Sequence, residues 1–167
     1  TIQLQHPRID PRHFDLVIPP EHDGLSGANV IPIIGSPNGI TPAKLENAAT
    51  RWAMRFAGLP KPRVAVLIGG TSKSHRFADD DARKLAAQLT DLTAQGAAVM
   101  ATTSRRTGET QTRIVRDALA GTNAYVWDGR GDNPYLGLLA LADAILVTSD
   151  STNMAVEAAA TGKPVYV

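Results

Sequence analysis

The stretch Arg63-Val64-Ala65-Val66-Leu67-Ile68-Gly69-Gly70-Thr71 decides the fold. A short apolar run closed by two glycines and a hydroxyl residue reads as a strand buried on both faces, ending in a tight turn. Working outward, Ala78, Ala82, Leu85, Ala86, Leu89 and Leu92 recur at helical spacing and form one apolar face, closed near Gly96. A second strand runs from Ala98 to about Thr102. Thr107 is the expected N-cap of the next helix, through Ile114, Val115, Ala118 and Leu119. Tyr125 to Trp127 supplies a third strand, and Asn133-Pro134 opens a brief apolar helix reaching Ala142. Ala144 to Val147 is a fourth strand, Ser151 to Thr161 a helix ended by Gly162, and Pro164 to Val167 the start of a fifth strand. Strands alternating with helices, joined by right-handed crossovers, give an α/β protein with a doubly wound parallel sheet.

Upstream the pattern changes. Residues 1–39 are irregular and proline-rich, with two short apolar segments, Asp15 to Ile18 and Val30 to Ile34, that read as strands. Pro32 demotes the second to an edge position, because it has no N–H to donate. Thr41-Pro42 then opens a helix, threonine as N-cap and proline at the first helical position. Its apolar residues Leu45, Ala48, Ala49, Trp52, Ala53 and Phe56 share one face, and Gly58 and Pro60 stop it. The organisation expected is residues 1–40 as the tail of a second, N-terminal α/β domain, 41–60 as a bridging helix and linker, and 61–167 as a Rossmann-like domain incomplete at its C-terminal end.

Composition excludes several classes of function. The chain has 167 residues and no cysteine, so thiol nucleophiles, thiolate metal sites and disulfide frameworks are absent together. A net charge of +1, divided evenly about Pro60, offers no broad cationic surface for nucleic acid. Aromatic residues at 5% are too few for a base-stacking platform. No apolar run approaches the roughly 20 residues of a membrane span. The histidines, His6, His13, His22 and His75, lack ligand spacing, and Asp79, Asp80 and Asp81 suit a helix dipole better than a metal. No metal and no cofactor is implied.

In a doubly wound sheet, ligands bind beyond the carboxyl ends of the strands, where the strand order reverses. Each such segment here is polar: Gly69 to Lys73, Thr103 to Thr107, Asp128 to Asn133, and Thr148 to Asn153. With strand order 3-2-1-4-5 the first and fourth loops share one crevice. Gly69-Gly70 lets backbone amides approach an oxyanion, with Thr71 beside them, or simply closes a buried strand. It matches neither a Walker loop nor a G-x-G-x-x-G fingerprint. Asp150, Ser151 and Asn153 sit at a helix start that favours phosphate, and Glu157 lies one turn after Asn153 on the same face, where a carboxylate can accept both hydroxyls of a ribose. The alternative is a capped helix with a solvated surface acid. Arg105-Arg106 suits an anion or a surface salt bridge equally. His22, in Pro20-Glu21-His22-Asp23, and Asp150 are the side chains that could act as acid or base.

The run Glu157-Ala158-Ala159-Ala160-Thr161-Gly162-Lys163-Pro164-Val165 is similar to the nucleotide-sugar end of GT-B glycosyltransferases, a two-domain fold shared by non-hydrolysing nucleotide-sugar 2-epimerases. Together with Pro19 to Asp23, Leu67 to Gly70, Thr103 to Thr107, Trp127 to Tyr135 and Thr148 to Val165, the chain resembles the "elongated mitochondria" family of plant mitochondrial fission and its bacterial relatives. Those relatives are often labelled predicted nucleoside-diphosphate-sugar epimerases. The resemblance implies a GT-B C-terminal domain holding a nucleoside diphosphate sugar as substrate. Glu157 would take the ribose, Ser151 and Asn153 the phosphates, and Gly70 with Thr71 the opposite wall, with Arg105 a further contact. Family proteins are longer, with a further N-terminal α/β domain, so acceptor-side groups are expected outside this chain.

Three functions compete. One is glycosyl transfer, with helix-start amides and arginines stabilising the departing diphosphate. Another is epimerisation by elimination and re-addition, with His22 or Asp150 as the acid–base group. The last is a non-enzymatic adaptor recruiting a protein partner. The expected ligand is a nucleotide sugar, with no nucleic acid and no transmembrane segment; protein partners and peripheral membrane association stay open. The expected location is the bacterial cytoplasm.

Overall fold

The computed structural model describes residues 1–72 and 75–167; Lys73, placed by the sequence in the first polar loop, lies outside the described residues. The chain divides into two compact units, Thr1–Gly39 and Ile40–Val167.

In the first unit, β1 (Ile2–Leu4) pairs in parallel with β2 (Leu16–Ile18). β1 was not anticipated, since Ile2-Gln3-Leu4 is not the continuous apolar run that marks β2, Leu16-Val17-Ile18. Val30 to Ile34, expected as a strand, makes only two isolated parallel bridges, Val17 with Val30 and Pro20 with Ile33. The N–H groups of Ile31 and Ile33 donate to the Val17 and Pro19 carbonyls, but Pro19 has no N–H to return to the Ile31 carbonyl, so the ladder breaks into two bridges. Pro32 turns its missing N–H to the side away from β2, as an edge position allows.

The second unit is the expected doubly wound sheet. It contains α1 (Pro42–Phe56), β3 (Arg63–Ile68), α2 (Asp79–Ala94), β4 (Ala98–Thr103), α3 (Glu109–Ala118), β5 (Ala124–Trp127), α4 (Tyr135–Leu141), β6 (Ala144–Val147), α5 (Thr152–Ala159) and β7 (Val165–Tyr166). All five strands are parallel, in the order β5-β4-β3-β6-β7. The order reverses between β3 and β6, where the sequence placed the crevice.

Alternation along the central strand builds two cores. Ala65 and Leu67 point to one face with Phe56, Leu138, Leu139, Ile145 and Ala158; Val64, Val66 and Ile68 point to the other with Ala86, Leu89, Val99 and Val115. The helix expected as a bridge, α1, packs on α4 inside the second unit. The fit is close: a Cβ on Gly137 would stand 2.5 Å from the Trp52 ring. Thr41 caps α1 through the Lys44 N–H, as its sequence indicated.

Thr107 is not the N-cap of α3. Gly108 takes that position, and Thr107 is buried, its hydroxyl donating to the Ile68 carbonyl and accepting the Ser104 N–H. A tertiary contact thus claims the hydroxyl that a local cap would use.

Lys163 holds the end of α4 in place. Its ammonium donates to the carbonyls of Leu139, Ala140 and Ala142 at 2.8, 2.6 and 2.6 Å, satisfying acceptors the helix leaves open. Burial lowers the Lys163 pKa below the ordinary lysine value. Lys163→Met is expected to cost about 2 kcal/mol, the scale of hydrogen bonds to a charged group, measured by urea unfolding. A cost near zero would mean that water replaces the ammonium without loss.

Candidate functional site

The loops at the β3–β6 reversal close on one another. Asp150, directly after β6, has a side chain only 7% exposed. Its carboxylate accepts the Gly70 N–H at 2.9 Å and the Thr148 hydroxyl at 2.6 Å, and pairs with the Arg106 guanidinium at 3.1 Å. Thr148 in turn accepts the Gly69 N–H at 2.8 Å, and the Thr71 N–H donates to the Arg106 carbonyl at 3.1 Å. All three amides of the glycine turn are therefore satisfied by protein acceptors. The glycines serve close approach: a Cβ on Gly69 would stand 2.2 Å from the Asp150 oxygens, and one on Gly70 would stand 2.0 Å from the Arg106 carbonyl oxygen.

The loop after β4 completes this latch. Ser104 donates its hydroxyl to the Gly69 carbonyl at 2.9 Å and accepts the Arg106 N–H at 3.1 Å. Asp150 is thus a buried structural acceptor joining three loops, with its oxygens engaged. A cavity of about 530 Å³ opens beside it, lined by Gly70, His75, Arg76, Thr148, Ser149 and Asp150 among others.

On the opposite face of the sheet, α5 starts at Ser151, whose hydroxyl accepts the Met154 N–H at 3.4 Å. Asn153 follows on its exposed first turn. Glu157, one turn later and partly buried, accepts the Tyr135 hydroxyl at 2.5 Å. Burial and then the Glu157 carboxylate push the Tyr135 phenol well above its ordinary value, so it remains a donor throughout the neutral range. Tyr135 was not singled out by sequence reasoning as a functional residue. Its signal was available: Asn133-Pro134 opens α4, and Asn133 fixes the first turn by accepting the Tyr135 N–H at 2.9 Å. Tyr135 also lines a cavity of about 490 Å³ with Lys44, Arg51, Trp52 and Asn133.

The candidates do not all meet. Gly70 and Asp150 share the crevice cavity, while Glu157 is tied to Tyr135 and through it borders the α1–α4 cavity. Thr71 is exposed, its hydroxyl accepting the Phe77 N–H at 3.2 Å. Arg105 lies elsewhere, lining a third cavity with α3 and the loop after β5. His22 belongs to the first unit, in a 3-10 turn over Glu21–Asp23, with Nε2 3.9 Å from Asp23 Oδ1. The acids opening α2 are each engaged: Asp81 accepts the Ala78 N–H, Asp79 the Gln111 amide, and Asp80 the Arg83 guanidinium. Among the described residues no helix is long and apolar enough to cross a membrane.

Four similarities bear on this geometry. The family described as "Mitochondrial fission ELM1" matches residues 1–167. The chain is 35% identical to the "Mitochondrial fission protein ELM1" of Arabidopsis thaliana over 100% of its own length and 45% of the relative's. It is 33% identical to "Uncharacterized protein RP120" of Rickettsia prowazekii, strain Madrid E, over 88% of this chain and 42% of that one. The chain therefore spans less than half the length of these curated relatives. Among solved structures it is similar in fold to a UDP-GlcNAc 2-epimerase from Neisseria meningitidis bound to UDP-GlcNAc, with TM-score 0.59 and 14% identity, over 92% of this chain and 44% of that one. That likeness shows the fold, a GT-B-type Rossmann-like sheet.

Proposed function

The chain belongs to the mitochondrial fission ELM1 family, and on that premise we propose that its second unit is the donor half of a GT-B-type protein, seating a nucleoside diphosphate sugar at the start of α5. The observation that carries this reading is Glu157: a partly buried acid one turn into a helix that begins at the sheet's reversal point, oriented by a phenol that stays protonated. In this reading Glu157 accepts the ribose hydroxyls. The diphosphate rests on the N–H groups and positive dipole end at Ser151 to Asn153. Gly70 and Thr71, on the crevice side of the sheet, offer no donors to this seat, because their amides are already spent. Helix-start stabilisation of a departing diphosphate needs no metal. Arg106, half-exposed and paired with Asp150, and Arg76, which lines the crevice cavity, are the cations at these loops, and in this reading they take the role the sequence offered to Arg105.

The test is calorimetric titration of the full chain with UDP, GDP, ADP and CDP, repeated on Glu157→Gln and Tyr135→Phe. One diphosphate is expected to bind, with affinity falling about tenfold or more in Glu157→Gln, the loss of a charged hydrogen-bond acceptor. A diphosphate that binds both variants equally would remove the ribose role. Incubation with the matching nucleotide sugar then separates the two chemistries: a changed sugar without an acceptor means epimerisation, and transfer only with an acceptor means a glycosyltransferase.

A second reading, a non-enzymatic adaptor, is favoured by one observation: the Gly69, Gly70 and Thr71 amides close onto protein rather than standing open. It predicts that no diphosphate binds and that the latch is retained as scaffold.

A further inference from the structure

We propose that the groove between α3 and the loops after β4 and β5 binds a phosphate monoester, gripped by Arg105, Arg113 and Arg130. The groove has a volume of about 690 Å³, within the range of small-molecule sites, and four arginines line it against two acids, Glu109 and Asp128. Arg116 shares its charge with Asp117 at 3.1 Å and Asp128 at 3.9 Å. The other three form no ion pair among the described residues. Elsewhere in this unit Arg51 pairs with Asp132, Lys61 with Asp143, Arg83 with Asp80 and Arg106 with Asp150, while Arg55 lies over the Tyr125 ring and Arg63 and Lys163 donate to backbone carbonyls. Arg76 and Lys84 also form no ion pair among the described residues, but neither lines this groove. Three uncompensated guanidinium groups around one groove, in a chain of net charge +1, mark a place where the counter-charge comes from outside.

The chemistry of the lining narrows the ligand. Guanidinium groups present planar forks that match phosphate oxygens two at a time, and three of them suit a dianion. The start of α3 borders the same groove, and its N-cap Gly108 contributes no side chain, so the positive end of that helix adds to the field. Trp127 lines the wall, its indole N–H donating to the Arg130 carbonyl at 2.7 Å. That bond and Gly129, at φ +91°, shape the turn that carries Arg130. An indole beside an anion seat offers contact for the carbon part of the ligand, as a bare phosphate would not need. The site is independent of the nucleotide reading: Arg105 lines this groove, whereas Gly70 and Asp150 line the crevice cavity.

A phosphate monoester reaches such a groove as a soluble metabolite or as a lipid headgroup, so the experiment has two arms. The full chain is titrated calorimetrically with glycerol 3-phosphate and sedimented with phosphatidylcholine vesicles containing phosphatidic acid. Each arm is repeated on Arg113→Gln/Arg130→Gln, on the charge-matched control Arg83→Gln/Lys84→Gln, and on Glu157→Gln. The expected result is binding in at least one arm that falls about tenfold or more in the groove variant and stays within about twofold in the other two. Binding of the soluble ester identifies a metabolite site, and binding of vesicles alone a headgroup site. Binding in neither arm overturns the proposal, as does a loss no greater in the groove variant than in the charge-matched control. Thermal melting of the groove variant checks its folding; its two positions are exposed, so an unchanged melt is expected.

Discussion

Gly70→Ala is expected to destabilise the second unit by about 3 kcal/mol, lowering its melting temperature by roughly 6–12 °C. The reason is space. Gly70 is not among the positive-φ glycines, so alanine meets no conformational penalty. Its Cβ would instead stand 2.0 Å from the Arg106 carbonyl oxygen and 2.4 Å from the Thr107 nitrogen. Both are backbone atoms, and Thr107 is buried beneath the end of β3 with its hydroxyl bonded to the Ile68 carbonyl. No side chain can rotate away, so the loop after β4 must move, breaking the Thr71–Arg106 bond and straining the Asp150–Arg106 pair. Thermal and urea unfolding of the variant measure the cost. A loss under about 0.5 kcal/mol, the ordinary scale of a surface substitution, would show that the latch is loose.

Gly69→Ala makes a different prediction, because its obstacle is a side chain. A Cβ there would stand 2.2 Å from both Asp150 oxygens. Asp150→Ala alone is expected to cost about 2–3 kcal/mol, since it strands the buried Gly70 N–H and the Thr148 hydroxyl, while Arg106, 43% exposed, can turn to water. Asp150→Asn keeps the shape and an acceptor oxygen and is expected to cost less. In the double variant Gly69→Ala/Asp150→Ala the clash has no partner left, so the two costs should not add. A coupling of about 1–3 kcal/mol, read from a double-mutant cycle in urea, is the expected result. The same cycle built with Gly70→Ala should be closer to additive, because its clash is with Arg106 and Thr107 backbone. Additive behaviour in both cycles would mean that Asp150 does not sit over Gly69.

These two cycles also bear on the adaptor and donor readings, since both require the latch as scaffold. Neither depends on the arginine groove, which lies between α3 and β5 and shares only its Ser104 edge with the latch. The three arrangements can be tested one at a time.

The order of elements in the second unit was legible residue by residue. Arg63 to Ile68 and Ala144 to Val147 are strands with the expected boundaries, because an apolar run of four to six residues between polar loops has few other ways to be buried. Thr41-Pro42 opened α1 as read, since an N-cap hydroxyl and an N1 proline act within one turn. The strand order is the 3-2-1-4-5 on which the crevice reading was conditional, one of several orders that right-handed crossovers allow. Membership in the ELM1 family was readable from the spread of Pro19 to Asp23, Trp127 to Tyr135 and Thr148 to Val165 along the chain.

Other features were decided only when distant residues met. Thr107 looked like a cap but is buried by β3, a partner 39 residues away in sequence. The Gly69-Gly70 turn reads from sequence either as an oxyanion approach or as the close of a buried strand, and folding gives its amides to Thr148, 79 residues on, and to Asp150, 80 residues on. Arg105 and Arg106 are neighbours in sequence, and folding sends one to the arginine groove and the other to Asp150. Tyr135 and Glu157 become a pair only because α4 and α5 lie on one face of the sheet. Local sequence determined what most segments of the second unit are, because caps, turns and apolar periods act over a few residues. Tertiary structure alone decided which polar groups remain available to a ligand, because a buried donor takes the nearest acceptor in space, wherever that acceptor stands in the chain.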